Sequence, residues 1–176
     1  MIRPKKLPFE GTDVDPDRTK VEISKLLKSF GIDSYQWTED RGMTELRFLT
    51  DIELTDPCTG EKRVRELKVM IRPPLIFKQR RVYDEKLAGG RGGLVSKDVP
   101  NYAQSYRILL SHLKNKLTAV AIGMVRFEEE FLADIVVQTR EGEKRLGDIA
   151  HERIGFLLTD RSGESAPIDV TPERSE

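Results

Sequence analysis

From Tyr102 onward, apolar residues recur every three or four positions. Tyr102, Tyr106, Leu109, Leu110, Leu113, Leu117 and Val120 draw one stripe along a helix about five turns long. Gly123 ends it. Val125, Phe127, Phe131, Leu132 and Ile135 then predict a second helix, whose last residues can turn into a strand because Ile135-Val136-Val137 is β-branched. Gly142 marks a turn, and Leu146, Ile149, Ile154, Leu157 and Leu158 predict a C-terminal helical segment. Residues 161–176 are Ser, Gly, Glu and Pro in the main and are expected to be a disordered tail.

The first half has a different rhythm. Pro4, Pro8, Gly11 and Pro16 lie among charges, so residues 1–16 are expected to form an extended arm. Thr19-Lys20-Val21-Glu22 fits a capping box, in which the Thr oxygen accepts a backbone N–H and Glu reaches back. Ile23, Leu26, Leu27 and Phe30 follow at helical spacing, with Gly31 as a left-handed stop. Residues 34–37, 46–54 and 64–71 alternate apolar and polar between the turn signals at 39–42 and 56–60. That pattern predicts an antiparallel meander with one solvated face, ended by Pro73-Pro74. The expected fold is therefore α+β in one domain, residues 17–160. It consists of an N-terminal helix, a three-stranded antiparallel meander, a long helix packed across the sheet and a C-terminal helical segment. Ile23, Leu26, Tyr106, Leu110, Leu113 and Leu117 are expected to cover the sheet's inner face.

Charge narrows the function classes. Lys plus Arg equals Asp plus Glu at 30 each in 176 residues, so nucleic-acid binding would need a local patch. The single cysteine, Cys58, allows neither an internal disulfide nor a multi-thiolate zinc site, and fits a free thiol in a reducing compartment. No apolar run approaches the ~18 residues of a membrane span, and the first residues lack a signal-peptide core. A cytoplasmic location with no membrane partner is expected.

The local patch is residues 78–97. Lys78, Arg80, Arg81, Lys86, Arg91 and Lys97 stand against Asp84 and Glu85, and four of the five residues 89–93 are glycine. Such a run predicts a mobile basic loop. Arginines there can fork onto phosphates, glycines let backbone amides approach them, and Tyr83 could stack on an unpaired base. The nucleic-acid-binding set is thus Lys78, Arg80, Arg81, Tyr83, Arg91 and Lys97. A solvated linker explains the same composition. No Gly-Lys-Ser/Thr follows, so a nucleotide-hydrolysing loop has no support.

Acidic candidates compete with simpler explanations. Glu130 and Asp134 would share a helix face and could hold magnesium, but Phe127 and Phe131 facing inward leave the acids as the wet side of the helix. The order helix, strand, strand, strand, helix is similar to the core of nucleases resembling restriction endonucleases. In that pattern Asp51, Glu66 and Lys68 would be catalytic, and Glu22, Asp51 and Glu66 would hold the metal. The metal would orient an attacking water, and Lys68 would stabilise charge on the scissile phosphate. No cofactor is expected outside this alternative. Tyr35 and Trp37 share a strand face, as a stacking platform or as core under the first helix. His112 and His151 have no partners in the pattern, which argues against a Ser-His-Asp site.

One resemblance emerges. Tyr106, Leu109-Leu110, Leu113-Lys114, Lys116-Leu117, Ala119-Val120 and Gly123 are followed by Phe127-Glu128-Glu129-Glu130-Phe131-Leu132. This block, with Glu22-Ile23, Leu26-Leu27, Phe30-Gly31 and Tyr35-x-Trp37, resembles an uncharacterised protein family of tailed-phage and prophage genomes over about residues 19–150. The resemblance implies a small viral or mobile-element protein made in the host cell, and brings no activity, cofactor or catalytic residue. The glycine loop and the tail depart from it. The leading expectation is a non-enzymatic accessory protein binding nucleic acid, single strands foremost, in replication or recombination. The alternatives are the metal-dependent nuclease and a protein-binding assembly or host-takeover adaptor. A homo-oligomer is left open.

Overall fold

In the computed structural model, which describes residues 6–40, 43–55, 59–84 and 93–159, the first helix, α1 (Pro16–Ser29), begins at Asp15 and Pro16. Asp15 Oδ1 accepts the Asp17 N–H at 2.7 Å, and Pro16 fills a first-turn position where no N–H is needed. The helix therefore starts a turn earlier than the Thr19 capping box predicts. Thr19 is instead fully buried, its hydroxyl donating to the Asp15 carbonyl at 3.3 Å. Gly31, at φ 77°, ends the helix as expected. The preceding arm is not extended within residues 6–15. It forms a turn in which Thr12 N–H donates to the Phe9 carbonyl, and Gln104 Nε2 ties it down by donating to the Pro8 carbonyl at 2.8 Å.

Strands β1 (Tyr35–Asp40), β2 (Met43–Thr55) and β3 (Lys62–Ile71) form the antiparallel sheet in the order β1-β2-β3. Phe48 lies opposite both Tyr35 and Val69, and Leu46 opposite Trp37 and Ile71, so these six share the inner face. Helix α2 (Tyr102–Ala121) crosses that face beside α1. Its Tyr106, Leu109, Leu113 and Leu117 are buried with Ile23 and Leu27, each apolar side chain contributing about 1.5–3 kcal/mol. Leu26 and Leu110 sit half-buried at the margin, because the helices present Leu27 and Leu109 more squarely. Trp37 meets Tyr106 edge-on at 5.7 Å, and both belong to this core.

The second predicted helix is short. Its single turn α3 (Phe127–Glu130) gives way to a 3-10 turn at Leu132–Asp134, then to a hairpin of β6 (Val136–Thr139) and β7 (Gly142–Arg145), and to α4 (Leu146–Thr159). Phe131 is fully buried, stacked on Phe127 at 4.5 Å and edge-on to Phe48 at 5.9 Å. Ile135 bridges to Val69 on the free edge of β3. The C-terminal segment thus wraps that edge, with Phe131 on the helix side and Glu143 and Asp148 reaching residues of the opposite face. In α4, Gly147 lies so close to Ala133 that an added Cβ would fall 2.7 Å from its carbonyl oxygen.

Residues 77–84 and 93–100 correct the expectation of a loop. Strands β4 (Phe77–Asp84) and β5 (Gly93–Pro100) form an antiparallel ribbon that is a sheet of its own. The valine pair Val82 and Val95 faces across the ladder, which the glycine count conceals. At the base, the Asn101 N–H donates to the Ile76 carbonyl at 2.7 Å. No helix among the described residues is long and apolar enough to cross a membrane.

Candidate nucleic-acid interface

The ribbon's register sorts its side chains. Lys78 lies opposite Val99, Arg80 opposite Lys97, and Val82 opposite Val95, so Lys78, Arg80 and Lys97 occupy one face. Lys78 and Arg80, two residues apart, stand about 6.6 Å from each other along the strand. Among the described residues neither makes an ion pair. Arg80 and Lys97 stand directly opposite each other across the ladder. Arg81 lies on the other face, with Gln79, Ser96, Asp98 and the exposed Leu94 and Phe77. Tyr83 is in register with Leu94. Arg91, Lys86 and Cys58 lie outside the described residues. The structure therefore divides the basic set that the sequence groups together.

The sheet's outer face shows the contrasting condition, cations tied to carboxylates. Lys68 Nζ is 2.5 Å from Glu143, which also reaches Arg47 at 3.4 Å. Arg47 and Arg72 both clamp Glu45, at 3.0 and 2.9 Å. Burial pushes Glu45 up, but hydrogen bonds from Arg47 and Arg72 outweigh it and hold the carboxyl below its ordinary range. Arg72 touches Asp148 at 3.6 Å. Arg145 forks onto Asp148 at 2.7 and 3.1 Å, lowering its pKa. Arg145 continues to Asp134 at 3.4 Å, and Lys116 closes the chain at 3.1 Å from Asp134. This relay joins β2 and β3 to the C-terminal segment and to α2.

Those pairings correct the acidic candidates. Asp51 and Glu66 are cross-strand partners on the outer face, and Lys68 shares that face, engaged by Glu143. Glu22 lies on the helical layer at the other side of the sheet, paired with Arg107 at 2.6 Å. Glu22 does not join the other three, because the alternation of β2 and β3 points the strand residues away from α1. Asp134 is held by two cations, so it does not share a metal with Glu130. Among the described residues no group of three or more His, Cys, Asp or Glu is placed to hold a metal. Trp37 and Tyr35 serve the core beneath the helices rather than an open stacking platform.

Beside the ribbon's base lies an apolar cleft of about 270 Å³, lined chiefly by Pro73, Pro74, Leu75, Pro100, Tyr102 and Tyr106. Sequence reading missed it, although the Pro-Pro-Leu-Ile-Phe run is a visible apolar stretch with no helical or strand period. Asp98 was likewise missed. Its signal would have been the β-branched Val95 and Val99 flanking it, the mark of a strand. Comparison with family models, curated proteins and solved structures finds no match to the chain.

Proposed function

We propose that this chain is a non-enzymatic accessory protein that binds nucleic acid through the ribbon face carrying Lys78, Arg80 and Lys97. One observation carries the reading: Lys78 and Arg80 project from a separate two-stranded ribbon with no carboxylate partner among the described residues, and Arg80 faces Lys97. Phosphates are the anions that such spaced cations suit. Single strands in replication or recombination are the proposed setting. Glu22 stands across the sheet from the Asp51–Glu66 pair, and Lys68 is engaged by Glu143, an arrangement that favours binding over cleavage.

The test is oligonucleotide affinity across a salt series, with single- and double-stranded probes. Changing Lys78 and Arg80 together to Ala should flatten the slope of log affinity against log salt by about 1.4 on single strands, for two lost phosphate contacts. An unchanged slope, or no binding to any probe at low salt, would sink the reading.

A further inference from the structure

We infer that the opposite face of the ribbon is a self-association surface, whose partner is a second copy of this chain. The face exposes an apolar side chain towards each end, Phe77 at 52% and Leu94 at 69% accessible, and Leu75 in the neighbouring cleft is 59% accessible. A two-stranded ribbon standing alone is marginal in water, so exposed Phe77 and Leu94 are a liability that a second layer removes.

Charge selects the occupant. The same face carries Arg81 and Asp98, opposite Ser96 and Gln79 respectively. Neither makes an ion pair or side-chain hydrogen bond among the described residues. One free cation and one free anion on a single face make it self-complementary. Stacked about a two-fold axis along the strands, Arg81 of one copy lies over Ser96 of the other and within reach of its Asp98, and the contact occurs twice. Phe77 then covers Pro100, and Leu94 covers the strand at residue 83. Two strands of eight residues offer a face of roughly 26 Å by 10 Å. That is well below the ~800 Å² per partner of a standard interface, so the Leu75–Tyr102 cleft must take part and the dimer must be reversible. The basic face with Lys78 and Arg80 stays open, so the inference stands apart from nucleic-acid binding.

Sedimentation equilibrium of the full chain without nucleic acid, from low to high micromolar, tests it. The parent chain should show a reversible monomer–dimer equilibrium, and Leu94→Asp should shift it to monomer while circular dichroism stays unchanged. Arg81→Asp and Asp98→Arg should each weaken dimerisation about tenfold, and the double exchange should restore it. A monomer throughout the range would overturn the inference, as would a dimer indifferent to both exchanges or one not rescued by the pair. Loss of oligonucleotide binding in Lys78→Ala/Arg80→Ala with dimerisation intact would keep the two faces distinct.

Discussion

The Lys116 ammonium lies 3.1 Å from the Asp134 carboxylate, with only 12% and 13% of the two side chains exposed. Lys116 also donates to the Glu130 carbonyl at 2.7 Å and sits 4.8 Å from the centre of the Phe131 ring. One cation thus anchors the C-terminal segment to α2 just where Phe131 enters the core. Asp134→Ala leaves Lys116 without its carboxylate in a largely dry site and should destabilise the fold by about 2–4 kcal/mol. Lys116→Met, which keeps the apolar stem, should cost less. Urea unfolding of both variants decides the order, and an Asp134→Ala chain as stable as its parent would refute this role.

Acid should loosen the same attachment. Hydrogen bonds lower Glu143 through Lys68 and Asp148 through Arg145, while in Glu45 they override the opposing effect of burial. A carboxylate with a depressed folded pKa adds stability that is complete above its unfolded value, about 4, and is lost as pH falls through the lower folded value. His112 is lowered too, first by burial and then by Lys116, so its contribution likewise fades as pH drops below about 6.5. Melting temperature should therefore decline gently from near neutrality and steeply below about pH 4. His112→Gln should remove the first decline and Glu45→Gln should blunt the second. A flat profile across the acid range would contradict the relay.

Gly147 packs closely against the backbone of Ala133. In Gly147→Ala the new Cβ would meet the Ala133 carbonyl oxygen at 2.7 Å and the Ala133 Cβ at 3.1 Å. Overpacking of this kind costs about 1–3 kcal/mol, against a helix-propensity gain of at most about 1. A net loss near 1–2 kcal/mol is expected by chemical denaturation. A stabilised variant would mean that α4 shifts freely on the 3-10 turn.

Asp51 and Glu66 stand directly opposite each other and exposed. Like charges so placed repel, and Asp51→Lys should raise stability by about 0.2–1 kcal/mol. The same variant discriminates against the nuclease alternative. Millimolar magnesium that raised the melting temperature of the parent chain, but not of Asp51→Lys, would restore a metal to that face.

The elements legible in the sequence are those with one dominant period. The α2 stripe places Tyr106, Leu109, Leu113 and Leu117 inside, and period two places Leu46, Phe48 and Val69 on one sheet face. Reading failed where two local signals compete. Pro16 with an Asp15 cap prevailed over Thr19, and the helix expected from Phe127 onward is a single turn, although the strand expected at Val136 and Val137 does form. The glycines at 89–93 hid the valine ladder on either side of them. The site was less legible still. Lys116 and Lys78 are the same residue type among similar neighbours, yet the first is buried against a carboxylate and the second has none among the described residues. Only tertiary contact separates them, since local sequence says nothing about which distant chain segment arrives alongside.

The Ile76–Asn101 hydrogen bond has a consequence for how this molecule can change. It draws the two feet of the ribbon together at 2.7 Å, so β4 and β5 hang from a closed collar outside the core. Such an appendage can be lengthened, trimmed or exchanged by splicing at the collar without disturbing Phe48, Leu113 or Phe131. The part of the chain proposed to meet other molecules is thereby the part most open to rapid divergence.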